Sequence, residues 1–584
     1  MGNIGSVAIN LTIDDKKVTA KEGDSVLDAA AGAGIQIPSL CHLNMHDSEI
    51  MNQPASCRIC MVERVDEHKS KLIPACVTLV SEGMAVKTNS QKVLQTRRKI
   101  IELMLSDHSQ NCLECAKNLN CELQKFAADL GVKRNYLEGE TTNFPDDTSS
   151  YSLVREPEKC ILCRRCEAVC EGFQSVGVLS EAGRGFNVTI DTALGAPIMD
   201  TECTFCGQCA AVCPTAAITG AVNTTEIWAA LTDPEKYVIV QTAPAVRAAL
   251  SETFELSGGA SATGKMAAAL RRLGFDQVLD TNFAADVTIV EESTELMHRV
   301  KNGGKLPLIT SCCPSGIKFI EHRYPDLLEH PSSCKSPQEM FGALAKSYLA
   351  EKLGVDPAKI VVVAIMPCLA KKFETKREEL ENGGHPNVDH VISTREFVRM
   401  LEEAGISLKD LPDEEFDAFM GDSSGAADIF GATGGVLEAI LRSFYELSTD
   451  KKLEKLEYEM LRGSKGVKEA KIDLNGDEIK VAVVHGLKKA KILLDDIRDG
   501  KSEYHVIEIM ACPGGCIAGG GQPYHYANEE VLTKRREALY SEDKSKNVRR
   551  SHENEAVKNL YDEFLGEPCG EKANELLHTS YIKR

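Results

Sequence analysis

Cysteine dominates the chemistry this chain could perform. It has 22 in 584 residues, 15 of them before Pro214, most at the two-residue spacing that lets a pair of thiolates reach one metal centre. Two runs are tightest: Cys160, Cys163, Cys166 and Cys170, then Cys203, Cys206, Cys209 and Cys213. These spacings are too close for a disulfide framework, and the chain is neither small nor headed by a signal-peptide pattern. Zinc is the rival for any single Cys-x-x-Cys pair. Four cysteine groups in succession with three different ligand patterns favour iron–sulfur clusters, and so a path for electrons.

Each tight run reads CxxCxxCxxxC, which resembles the bacterial two-cluster ferredoxins, where the fourth cysteine crosses to the neighbouring cube. On that pattern Cys160, Cys163, Cys166 and Cys213 hold one 4Fe4S cube, and Cys203, Cys206, Cys209 and Cys170 hold the other. Upstream, Cys41, Cys57, Cys60 and Cys76 resemble the 2Fe2S ferredoxin-like domain of hydrogenases and respiratory complex I. Both gaps flanking that pair are 15 residues, longer than the family pattern, and residues 47–54 read as an inserted loop. A third pattern is His108, Cys112, Cys115 and Cys121. A lone histidine is ordinarily a surface residue, but this one stands four residues before a pair that needs another ligand, and a neutral imidazole can serve. With one thiolate charge fewer, that cluster would have a raised potential.

The elements presenting these residues follow from periodicity. Residues 7–13 alternate, turn at Asp14-Asp15 and continue near Val18, which predicts a hairpin. A helix is expected over 25–33, and an amphipathic one over 91–107 with Val93, Leu94, Ile100, Ile101, Leu103, Met104 and Leu105 on its apolar face. Residues 140–150 read as a polar linker. Beyond about Val222, apolar runs at 238–240, 287–290, 306–309, 360–365, 479–484 and 506–509 predict parallel strands covered on both faces. Residues 451–471 read as a charged, exposed insert, and the duplicated cube motif is the one internal repeat.

Three of these runs lead into cysteine-bearing loops: Thr310-Ser311-Cys312-Cys313-Pro314, Met366-Pro367-Cys368, and Met510-Ala511-Cys512-Pro513-Gly514-Gly515-Cys516. Loops at the carboxyl ends of such strands are where sites assemble, so four cysteines could meet on one buried cube. Gly514, Gly515, Gly519, Gly520 and Gly521 lack a Cβ and let backbone approach a bulky ligand. TSCCP, MPCxxK and ACPGGCxxGGGQP, in this order, resemble the three signatures of the iron-only (FeFe) hydrogenases. The likeness covers essentially the whole chain, including FGATGG at 430–435 and the tail SHENEAVKNLYDEFLG from Ser551, similar to that family's small-subunit segment.

The resemblance implies α+β ferredoxin-like modules followed by an α/β catalytic domain with parallel sheets and the H-cluster between its lobes. Its boundaries are a 2Fe2S β-grasp-type domain over 1–88, a His/Cys3 4Fe4S domain over 89–150, a two-cube domain over 151–222, the catalytic domain over 223–525 and the small-subunit-like segment over 526–584. The implied cofactors are one 2Fe2S cluster, three further 4Fe4S clusters, one of them His-ligated, and the H-cluster. The last is a cube joined through a shared cysteine to a diiron unit with carbon monoxide, cyanide and a bridging dithiolate amine. Carried over residue by residue, Cys313, Cys368, Cys512 and Cys516 hold the cube, with Cys516 shared.

Lys371 would donate to a cyanide, a charge-assisted bond, although it could also be a solvated lysine. Met366, Met510, Pro244 and Phe430 would pack on the diiron unit, although the methionines could equally be core filler. Cys312 resembles the thiol that passes protons to the bridging amine, suited to it by a pKa of about 8.5. Glu292, Ser332 and Glu295 occupy the family's relay positions, where burial would raise the carboxyls. The rival reading puts these glutamates on an exposed helix in a salt bridge. Ser315-Gly316, Ala245 and Leu369 depart from the Gly-Trp, serine and threonine frequent in relatives, and Cys334 and Cys569 are unassigned.

A net charge of −20 and a pI near 5.3 argue against nucleic acid. No apolar run approaches the roughly 20 residues of a membrane span. The expected location is the cytoplasm; the start Met1-Gly2 formally fits an acylation pattern too short to weigh. The implied activity is reversible interconversion of dihydrogen with two protons and two electrons. Electrons would pass to ferredoxin and/or to flavin- and NAD(P)-binding partner subunits, since no GxGxxG motif is visible here, and maturation proteins would supply the diiron unit. The wording SSCKSPQEMFGA and KIVVVAIMPCLAKK inclines toward the complex-forming type. The alternatives are a hydrogen sensor, which usually lacks the Cys312 equivalent, a non-catalytic hydrogenase-like electron-transfer or cluster-assembly protein, and a respiratory subunit, which would lack TSCCP and MPCxxK.

Overall fold

The structure, a computed structural model, describes the chain apart from residues 1–6, 46–53, 67–68, 134–136, 138, 257–261, 464–465, 475 and 527. The acylation pattern, and all of the expected 47–54 loop but Pro54, lie outside the described residues. The N-terminal hairpin pairs Ala8–Ile13 with Lys16–Lys21 in antiparallel register, Leu11 opposite Val18. It belongs to a five-stranded sheet completed by Met61–Asp66, Lys69–Pro74 and Ala85–Lys87. Ser25 and Asp28 form a capping box on the Val26–Gly32 helix, which lays Val26 and Ala30 over Leu11, Ile13 and Val18. The Gln91–Ser106 helix buries Val93, Arg97 and Ile101, while Leu103 of the expected apolar face stands 61% exposed.

The two-cube segment is closed by Leu153–Arg155 pairing antiparallel with Ile218–Gly220. The catalytic part carries two four-stranded sheets. In the first, Gln277–Asp280, Tyr237–Thr242, Ile360–Met366 and His390–Ser393 are all parallel, and every residue of Ile360–Met366 is buried, as the apolar run requires. In the second, Leu308–Ile309, Val506–Met510 and Asp477–His485 are parallel.

Two expectations fail here. Residues 287–290 are not a strand; they lie inside the 22-residue helix Thr281–Asn302, begun by the Asp280 cap and ended at Gly303. The run is apolar because this helix is packed by the Gly435–Thr449 and Pro337–Leu344 helices, so burial hides its period. The supposed exposed insert ends in Lys468–Leu474, an edge strand antiparallel to Asp477–His485 that buries Lys468, Ala470 and Ile472 alternately. The exposed Glu469, Lys471 and Asp473 alternate with the buried positions and mask the pattern.

Caps and glycines bring the loops together. Cys313 is the N-cap residue of Pro314–Arg323, with proline in the first helical turn. Gly515 has φ +100°, and a Cβ there would lie 2.6 Å from Thr433 N, so the CPGGC loop sits directly on the 430–435 segment. The C-terminal tail is fastened by Asp286, whose buried carboxylate accepts from Ser551 Oγ at 2.6 Å and Asn554 Nδ2 at 2.9 Å. Gly515→Ala should lower stability by about 1–3 kcal/mol, the usual size of strain at a positive φ. Thermal unfolding checks this, and an unchanged midpoint would contradict the close approach.

Candidate active site and cluster sites

The three catalytic loops converge. Cys312, Cys368, Lys371, Met366, Met510, Pro244, Phe430 and Cys516 line one cavity of about 70 Å³. Cys313 and Cys512 lie behind it: Ala511 N donates to Cys313 Sγ at 3.5 Å, and thiolate charge on Cys368, Cys313 or Cys516 opposes ionisation of Cys512. Burial pushes all four thiols up, Cys368 to about 12 and Cys512 well above the ordinary range. Cys312, Cys313 and Cys516 are only partly covered, whereas Cys368 and Cys512 are buried.

Four thiols grouped this way, two of them buried and two partly covered, favour the protonated form on their own; a multiply charged iron core is what makes such a donor set favourable as thiolates. The residues fit that group. Lys371 is buried with Nζ 2.7 Å from Glu374 Oε2. Burial works against its charge, yet the Glu374 carboxylate raises its pKa. Ser336 and Gln338 also donate to Glu374, which sequence reasoning missed, though it stands three residues on from Lys371 on one helical turn.

Glu292 and Glu295 share one face of the Thr281–Asn302 helix. Glu292 is fully buried; Oε1 accepts from Ser311 N at 3.3 Å and Ser311 Oγ at 3.2 Å, while Oε2 has no partner. Burial lifts its pKa to about 7, against the Ser311 bonds and with help from Glu295. The Cys312 thiol is pushed up by burial first and by Glu292 next. Ser332 Oγ donates to Glu295 Oε2 at 2.7 Å, and Arg299 holds Glu295 Oε1 at 2.6 Å nearer the surface. So Glu295 is indeed in a helical salt bridge, with the Arg299 and Glu295 side chains 14% and 13% exposed, while Glu292 is not. Arg299 went unread, although its four-residue spacing from Glu295 was available.

The upstream cysteines also group. Cys160, Cys163, Cys166 and Cys213 line one small cavity, and Cys170, Cys203, Cys206 and Cys209 line another. Cys60 Sγ is 3.4 Å from Cys76 Sγ, and Cys41 is lowered by hydrogen bonds from Cys57 and Cys76; all four are buried. His108 Nδ1 is shielded from solvent without a partner, and burial lowers its pKa to about 4, which keeps the imidazole neutral near pH 7. Cys115 and Cys121 interact, while Cys112 is exposed. Lys117, also unforeseen, is buried over the Tyr524 ring at 3.8 Å and donates to the Cys213 carbonyl, tying this segment to the next.

The chain that carries these loops, this cavity and these grouped cysteines is similar to known proteins along most of its length. Residues 236–520 match the C-terminal domain of the iron-only hydrogenase large subunit, and 529–584 match the iron hydrogenase small subunit. Residues 6–91 match a 2Fe-2S cluster binding domain, 97–135 the NADH-ubiquinone oxidoreductase-G iron-sulfur binding region, and 156–217 a 4Fe-4S dicluster domain.

The chain belongs to the FeFe hydrogenases and is an oxidoreductase of hydrogen with an iron–sulfur relay. It is 50% identical to the NADP-reducing hydrogenase subunit HndD of Solidesulfovibrio fructosivorans over 99% of both chains. Iron hydrogenase 1 of Clostridium pasteurianum is 38% identical over 98% of this chain and 100% of its own. Among solved structures, apo FeFe-hydrogenase HydA1 from Chlamydomonas reinhardtii superposes with a TM-score of 0.56 at 43% identity, covering 62% of this chain and 98% of that one. No helix among the described residues is long and apolar enough to cross a membrane.

Exposure separates the thiols in protein freed of clusters but still folded. A brief pulse of iodoacetamide should alkylate Cys112 at least about tenfold faster than Cys512, because reactivity follows thiolate character and access. Peptide mass mapping checks this, and equal labelling would contradict the burial described here.

Proposed function

We propose that this chain is the hydrogen-converting member of a nicotinamide-linked assembly. The observation that carries it is the meeting of Cys313, Cys368, Cys512 and Cys516 beside one cavity, with Cys312 at its wall. In this reading those four cysteines hold the cube of the H-cluster, Cys516 being shared with the diiron unit. When bound, the group supplies the iron site at which dihydrogen is cleaved or formed and to which electrons are delivered. Lys371 neutralises anionic ligands, while Met366, Met510, Pro244 and Phe430 keep water away.

Protons are the protein's own task. Cys312 Sγ takes the proton, Glu292 accepts it on its unpartnered Oε2, Ser332 passes it to Glu295, and Arg299 holds Glu295 at the outer end. Cys170, Cys203, Cys206 and Cys209, and Cys160, Cys163, Cys166 and Cys213, would hold the two cubes of the electron relay. His108, Cys112, Cys115 and Cys121 would hold a further 4Fe4S cluster of that relay, and Cys41, Cys57, Cys60 and Cys76 its 2Fe2S cluster. The domain limits 1–88, 89–150, 151–222, 223–525 and 526–584 divide the chain by these tasks.

Similarity to a protein named as an NADP-reducing hydrogenase subunit supports nicotinamide-linked partner subunits over free ferredoxin as the electron route; flavin-binding partners and a cytoplasmic site belong to the same proposal. Purification of the native protein should bring flavin-containing subunits with it; isolation as a single chain active with ferredoxin alone would contradict that route. Glu292 sets the pH response. Its carboxyl must be charged to accept a proton, so hydrogen uptake should rise with pH through about 7, and proton reduction should fall over the same range. Glu292→Gln should lower turnover by about 100-fold or more and remove that limb. A pH–rate profile checks it, and an unchanged profile would contradict the relay.

A further inference from the structure

The loop of the second cube and the loop of the active site touch backbone to backbone. A Cβ on Gly520 would lie 2.6 Å from Gly207 Cα and 2.8 Å from Cys206 O, and one on Gly207 would lie 2.8 Å from Leu369 Cδ1. At that contact the Gln208 amide, only 1% exposed, donates to Cys512 Sγ at 3.2 Å and to Ala518 O at 3.0 Å. The orientation of the amide follows from these partners, since both atoms accept. Cys313 takes its hydrogen bond from a backbone amide of its own lobe, whereas Cys512 takes one from a side chain delivered by the electron-carrying module.

We propose that Gln208 is a positioning residue for electron transfer, whose N–H raises the reduction potential of the cube Cys512 helps hold and fixes that cube against its neighbour. The proposal rests on Cys512 being a cluster ligand. Reduction adds one negative charge to the cube, and a donor aimed at a ligand sulfur stabilises the more negative state. The site is dry, so little solvent screens the effect.

Docking does not depend on Gln208 alone. Gln174 donates to Ala511 O at 2.8 Å and accepts from Leu487 N at 3.1 Å, and Lys318 donates to Cys203 O at 2.8 Å. Gln174 makes the same kind of bridge through backbone partners, which makes it the control for a purely structural role.

The test is a redox titration of the matured holoenzyme, followed by EPR and by the infrared bands of the active-site carbon monoxide. Gln208→Leu should move the active-site couple to more negative potential and leave the other clusters' midpoints in place, whereas Gln174→Leu should move none of them. Gln208→Glu, which cannot donate when charged, should shift the couple further the same way. If Gln208→Leu fails to fold, Gln208→Met carries the same test. An unshifted couple, or a shift matched by Gln174→Leu, overturns the proposal while leaving the ligand assignment standing. A Cys512→Ser protein with its full iron content and unaltered cube signal removes the ligand assignment, and the proposal with it.

Discussion

The structure depends on gathering four thiols, all held above their ordinary pKa, around one small cavity. Burial raises Cys313, Cys368, Cys512 and Cys516, and each thiolate formed would oppose the next. Such a grouping persists only if the surrounding loops are held from outside. Parallel strands end together at the cavity, Pro314 starts a helix immediately after Cys313, and glycines let the 512–521 loop lie against residues 367, 433 and 207 within side-chain distance. The polar tail reinforces this from behind, with Ser551 and Asn554 on the buried Asp286.

Around that centre two kinds of surface meet. The electron side is built from close backbone contacts and amide or lysine donors: Gln208, Gln174, Lys318 and Lys117 each bridge one module to the next. The side assigned to protons is a single helix with two glutamates three residues apart and a hydroxyl between helix and loop. Glu292 and Glu295 differ because their environments differ. One is buried with an unpartnered oxygen, the other held by Arg299.

Much of this was legible in the sequence because metal ligation constrains spacing directly. The cysteine runs at 160–170 and 203–213 anticipated cavities that exchange their fourth cysteine, and the three loop motifs anticipated one cavity. Residues 287–290 misled because an all-round buried helix and a buried strand have the same composition, and only the caps at Asp280 and Gly303 tell them apart. The edge strand at 468–474 was hidden by charged residues facing outward between buried positions. Gln208 and Lys117 carry no motif, and their roles depend on partners far along the chain, whereas the signal for Glu374 was its place three residues after Lys371 on one helical turn.

The most direct measurement is anomalous diffraction at the iron edge from crystals of the matured protein. The expected map shows an iron core bonded to the sulfurs of Cys313, Cys368, Cys512 and Cys516, with further iron in the cavity beside Cys312. Iron peaks confined to the N-terminal cysteine groups, or sulfurs of these four residues bound to different centres, would contradict it.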